Sequence, residues 1–310
     1  MTVNRRTFVQ QTAGAAASTL FAATFGARGA SAAGCAQLPG VQLYTVRELL
    51  QHDARSALVA LSARGLKELE LFGLDDGDGA RLFGMTPREF KTAVDGNGLS
   101  VPSAHIGGAL TDTATISARA NALGIPTVIV SLAPEFTEER EGRSTMAGAT
   151  SLEQLDRLAE RLNRAGREFR ANGLNFGYHN HHVEFLPVDD RVAYDYLMAN
   201  TDSDLVRIEL DVGWVALAGV DVIDTLSRYG RRVIACHLKD FAPPRGRGRD
   251  QQAPQEQLVE PGAGTIDFAR VLETMDEIGV AHGFIEIDVT DDPLGAVDRG
   301  HRYLQGLRAC

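Results

Sequence analysis

Five of the eight histidines in this 310-residue chain stand at the ends of short apolar runs, and acids stand at the ends of others. Glu70 lies in Glu68-Leu69-Glu70-Leu71, His105 in Val101 to Ile106, and His179-Asn180-His181-His182 follows Leu174. Asp211 follows Val206 to Leu210, His237 follows Val233 to Cys236, and Glu286 lies in Gly283 to Ile287. Imidazole nitrogen with carboxylate oxygen is a ligand set for Mn2+, Co2+, Fe2+, Zn2+ or Mg2+. One such residue at a strand end is an ordinary solvated rim group, but six runs ending this way point to one divalent ion. The three cysteines, Cys35, Cys236 and Cys310, have no C-x-x-C spacing, so neither a zinc ribbon nor a thioredoxin-type site is available. Any ion must be held by histidines and carboxylates.

These residues need elements that bring them together. Two further apolar runs, Val41 to Tyr44 and Thr127 to Val130, make eight, and amphipathic stretches separate them. In Ser151 to Ala171, Leu152, Leu155, Leu158 and Leu162 repeat at helical spacing behind Ser151 as N-cap, and Gly173 closes the helix. Eight such units predict a (β/α)8 TIM barrel over residues 34–310, one domain whose C-terminal strand ends collect the chemistry. A doubly wound open sheet would place a Gly-rich phosphate turn after the first strand, where Tyr44-Thr45-Val46-Arg47 stands instead. The polar segment 243–256 reads as a loop over the barrel mouth. Strand alternation puts His179 and His181 on one face, of which only one need be a ligand, and sends Cys236 away from His237 into the helix layer. Lys239 shares the face of His237 and is expected to contact substrate oxygens or to pair with Asp240 or another acid. Trp214 is equally a core residue or a sugar-stacking platform. Glu209 is expected to turn away from Asp211 towards a structural partner.

Composition narrows the partners. A formal charge of −10 with 44% hydrophobic residues gives no electrostatic reason to expect nucleic acid or an anionic membrane surface. Residues 1–33 contain no acid, place Arg5-Arg6 before an Ala-rich run, and end in Gly29-Ala30-Ser31-Ala32-Ala33. That order resembles a twin-arginine export signal, implying cleavage, a periplasmic location and a mature chain more acidic by the loss of Arg5, Arg6 and Arg28. The apolar run is too rich in Gly, Ala and Thr for a stable membrane span. Cys35 only faintly matches a lipid-attachment site, with Ala32 three residues before it.

Several segments together carry a family resemblance: Gly40 to Arg47, Ser103-Ala104-His105-Ile106-Gly107, Gly177 to Phe185, Glu209 to Trp214, His237-Leu238-Lys239-Asp240 and Gly262 to Phe268. Over residues 40–305 the chain resembles the sugar phosphate isomerase/epimerase family, the xylose isomerase-like TIM barrels. The resemblance implies one divalent metal, commonly Mn2+, held by Asp211, His237 and Glu286 with a fourth ligand from the fifth strand. Sugar epimerases of the family usually carry Glu at that fourth position, where this chain has His179. Glu184 matches a position that contacts substrate in relatives, and Glu70, His105, His181, Trp214 and Lys239 complete the expected substrate surface. The implied chemistry is abstraction of the proton α to the carbonyl of a keto sugar through an enediolate. Glu286 is the expected base and His179 the opposing acid, since an imidazole titrates near neutrality. Isomerisation or epimerisation is the first expectation. Elimination by a 3-keto-glycoside lyase or hydratase is the alternative, because an exported enzyme meets unphosphorylated sugars. A non-catalytic sugar-binding barrel or a homo-oligomer is compatible with the sequence. The acidic charge argues against an enzyme like the abasic-site endonucleases of the same barrel.

Overall fold

The computed structural model describes residues 39–77, 81–242 and 257–308. The export-like segment 1–33, Cys35, Cys310 and the polar segment 243–256 lie outside the described residues. The eight apolar runs form β1 (Gly40–Gln42), β2 (Glu68–Leu71), β3 (Ser100–Gly107), β4 (Thr127–Ser131), β5 (Asn175–His179), β6 (Arg207–Asp211), β7 (Val233–Leu238) and β8 (His282–Ile285). Every neighbouring pair is parallel, and β8 closes on β1 through Gly40↔Phe284 and Val41↔Ile285. The expected eight-stranded (β/α)8 barrel is therefore the fold, with one hydrophobic core lying between strands and helices.

Local chemistry sets the element ends. Helix α1 (Leu152–Ala171) starts where Ser151 accepts a hydrogen bond from the Gln154 N–H. It buries Leu155, Leu158, Leu162 and Phe169, and the chain leaves it through Gly173 at φ 79°. The first strand stops two residues before Tyr44, because the Gln42 side chain accepts the Tyr44 N–H and starts a 3-10 turn over Leu43–Val46. Glu286 stands one residue past β8, and β7 runs two residues beyond Cys236. A hairpin pairing Thr137–Arg140 with Arg143–Met146 follows β4, a feature the polar sequence there does not announce. No helix among the described residues is long and apolar enough to cross a membrane.

Two features position the mouth. Helix α2 (Val212–Leu217) begins directly after Asp211, which caps it, and lies against the end of β7. A Cβ on Gly213 would stand 2.7 Å from the Lys239 carbonyl oxygen and 2.8 Å from the Lys239 Cβ, so only glycine allows this approach. After β7, Asp240 is fully buried and its carboxylate accepts N–H bonds from Phe241, Gly262, Gly264, Thr265 and Ile266 at 2.9–3.3 Å. This clasp draws the returning segment 262–266 onto the end of the strand.

Candidate metal centre at the barrel mouth

His179 ends β5, Asp211 ends β6, His237 lies near the end of β7, and Glu286 follows β8. One potential ligand atom from each lies within 4.8 Å of the others. All four residues are buried. His237 Nδ1 is 2.8 Å from Glu286 Oε2 and 3.8 Å from Asp211 Oδ2, and His179 Nε2 is 3.9 Å from Asp211 Oδ2. The backbone of Asp211 is held by Asn180, whose Oδ1 accepts the Asp211 N–H at 3.1 Å and whose Nδ2 donates to the Asp211 carbonyl at 3.4 Å. Asp211 Oδ1 accepts the Trp214 N–H at 2.9 Å, while Oδ2 is buried with no hydrogen-bond partner.

These donors fit a divalent cation. Burial pushes the Asp211 carboxyl up, against Lys239 and His237, so the fold carries an acid it does not satisfy. Burial, followed by the neighbouring His237 and His105, holds His179 well below the usual imidazole range. A neutral imidazole and a buried carboxylate oxygen that accepts no hydrogen bond suit a cation, and the set contains no sulfur. The same burial favours the neutral form of His179 that a ligand takes.

The strand-end lysine is also placed here. Lys239 Nζ stands 2.6 Å from Asp288 Oδ2, 3.0 Å from Glu286 Oε2 and 3.3 Å from Asp211 Oδ2, and 4.4 Å from the centre of the Trp214 ring. The anticipated ion pair therefore forms with other acids and not with Asp240, whose carboxylate the clasp takes. Burial would lower the ammonium, but Asp211, Asp288 and Glu286 hold it well above the usual lysine range. Burial likewise would raise Glu286, but Lys239 and His237 keep it well below the ordinary carboxylate range.

The remaining predicted residues divide. His181 is beside the set, its ring centre 5.0 Å from that of His179, with a buried Nδ1 that has no hydrogen-bond partner. Trp214 is a wall and not a platform: it is buried and packs between His182, His181 and Phe241. Glu184 is fully buried, accepting the Tyr178 hydroxyl at 3.0 Å and the His181 N–H at 3.0 Å, so its carboxylate fixes the turn after β5 in place of the expected substrate contact. Glu70 is also fully buried, accepting from Gln42 Nε2 at 2.9 Å, Ser103 Oγ at 2.5 Å and His237 Nε2 at 2.5 Å. His105 Nε2 lies 2.5 Å from Glu209 and 3.2 Å from Glu70. Glu70 and His105 therefore lie within the barrel against other side chains, not on an open substrate surface. Glu209 is the largest correction: it does not turn away from Asp211 but enters the barrel on the same face, as residues two apart in a strand must. The same period of two would have found Asp288 beyond Glu286.

Comparison with known proteins agrees with this architecture. The sequence profile of the xylose isomerase-like TIM barrel family matches residues 58–309. An inosose dehydratase of Lacticaseibacillus casei is 32% identical over 158 residues, covering 46% of this chain and 50% of that protein, so the match spans about half the relative's length. A sugar phosphate isomerase/epimerase structure from Parabacteroides distasonis superposes with a TM-score of 0.69 at 22% identity, covering 86% of this chain and 96% of that one. A xylose isomerase-like TIM barrel protein from Mycobacterium smegmatis in complex with magnesium gives 0.64 at 13% identity, covering 87% and 96%.

Proposed function

The chain belongs to the xylose isomerase-like TIM barrel family, and we propose that within it the protein is a metal-dependent lyase that removes a β-leaving group from a keto-polyol or keto-sugar. The observation that carries this reading is the asymmetry of the mouth. Glu286 stands on one side, and the imidazoles of His179 and His181 stand on the other in place of a second carboxylate. Epimerisation through two carboxylates has no second carboxylate at this position, whereas elimination needs one base and one acid. The likeness to an inosose dehydratase supports the same choice over isomerisation.

A hard divalent ion such as Mn2+ or Mg2+ in the four-residue set would supply Lewis acidity to the substrate carbonyl. Glu286 is ionised at neutrality, and both its contacts, to His237 and Lys239, use Oε2, which leaves Oε1 to take the α-proton. The Lys239 ammonium is placed to donate to oxygen that gains negative charge as that proton leaves. His181 gives a proton to the departing oxygen, so that the carbon–oxygen bond breaks as the double bond forms and the leaving group departs neutral.

Proton NMR in D2O with Mn2+ and a panel of keto-polyols and 3-keto glycosides tests the reading. An unsaturated product is expected, and Glu286→Gln should slow α-proton loss about 1000-fold while weakening metal binding far less. Clean interconversion of two sugars without loss of a leaving group would refute it. Export through the twin-arginine route belongs to the same proposal, supported by Arg5-Arg6 and the acid-free segment that follows. Changing both arginines to lysine should leave the precursor in the cytoplasm, and undiminished periplasmic protein on fractionation would contradict it.

A further inference from the structure

Beneath the four-residue set lies a second layer in which two buried carboxylates are joined by one imidazole. His105 Nε2 contacts Glu209 Oε2 at 2.5 Å and Glu70 Oε2 at 3.2 Å. Glu70 faces one histidine of the set above and Glu209 faces two, its Oε2 lying 3.2 Å from His237 Nε2 as well as near His179. Glu70 Oε2 is 2.5 Å from His237 Nε2, and Glu209 Oε2 is 3.2 Å from His179 Nδ1, an atom with no hydrogen bond of its own. The opposite ring nitrogens, His237 Nδ1 and His179 Nε2, are those turned towards Asp211 and Glu286.

We propose that the Glu70–His105–Glu209 bridge is a positioning layer that decides which nitrogen each histidine presents to the ion. The inference rests on the reading of the upper set as a metal centre. An imidazole that coordinates through one nitrogen carries its proton on the other, and a carboxylate behind that proton fixes both tautomer and ring angle. Glu70, with Glu209 behind it at 3.2 Å, does this for His237 Nε2, and Glu209 alone does it for His179 Nδ1, from strands on opposite sides of the barrel. Their like charges are kept together by the His105 ring between them, which stacks on His237 with ring centres 5.2 Å apart and planes 3° apart. His179 is thereby assigned Nδ1–H with Nε2 as ligand, and His237 Nε2–H with Nδ1 as ligand. The rival is a second ion, since His105, His179, Glu209 and His237 also place ligand atoms within 4.8 Å of one another.

Metal-stripped protein titrated with Co2+ separates the two. The parent should take up one Co2+ per chain by elemental analysis. Glu209→Gln and Glu70→Gln should each still take up one, but bind it about ten- to a hundredfold more weakly, with an altered visible absorption band. The second measurement needs no variant: long-range 15N–1H correlation of the parent loaded with Zn2+ should show the two assigned tautomers. Two Co2+ per chain, unchanged affinity in both variants, or the reversed tautomers would each overturn the proposal. A parent that binds no Co2+ would instead remove the metal centre itself, so the two failures are distinguishable.

Discussion

Asp211 and Asp240 stand at the mouth on neighbouring strands, both fully buried, and the fold treats them in opposite ways. Asp240 accepts five backbone N–H groups and is closed to anything else. Asp211 accepts one, at Oδ1, and leaves Oδ2 without a hydrogen bond. A buried carboxylate with all its acceptors engaged is an architectural part, because its desolvation is offset inside the chain. Asp211 Oδ2 instead faces the Lys239 ammonium at 3.3 Å and His237 at 3.8 Å without a hydrogen bond to either, an arrangement that leaves room for a further cation. The contrast separates the clasp from the chemistry without reference to any relative.

The largest effect expected from that contrast is on metal content. Asp211→Ala should lower divalent-ion affinity more than a hundredfold. Its stability should change by only about 1 kcal/mol, the value of the helix cap it also provides, as read by elemental analysis beside urea denaturation. Unchanged metal content would break the comparison on one side. The reciprocal variant, Asp240→Asn, should keep the metal but lose about 2–3 kcal/mol, because an amide NH2 now faces backbone donors. Urea melts with parental stability would break it on the other.

A smaller effect should appear with pH in the metal-free protein. Burial would lower the His105 pKa, but Glu70 and Glu209 raise it to about 10. A histidine raised above its unfolded value of ~6.5 stabilises the fold fully below that pH and loses the contribution as pH rises towards the folded value. Denaturant midpoints should therefore fall between pH 7 and 10, and His105→Asn should flatten the decline. A midpoint that rises across that range would contradict the charge assigned to this ring.

The fold was legible because a parallel barrel buries both faces of every strand, so each strand reads as a short apolar run. All eight runs are strands, with ends displaced by at most two residues. Polar groups ending six apolar runs marked the barrel mouth, and the family resemblance singled out the four residues of the set among them. Glu209 was misplaced against the period of two that puts it on the face of Asp211, and the partners of Glu209 and Glu70 were hidden because they come from strands brought together only by closure. Glu209 meets His105 across 104 residues, and Glu70 meets His237 across 167. The Asp240 clasp was hidden too, since its donors are backbone N–H groups that any sequence supplies.

Closure also orders events in time. The barrel is sealed by β8 against β1, joining the last strand of the chain to the first, and Glu286 arrives with that seam. Contacts of such long range form late, after the local helix–strand pairs. A growing polypeptide that has delivered His179, Asp211 and His237 still lacks its fourth donor and the wall behind it. The four-residue set is therefore complete only in the closed barrel.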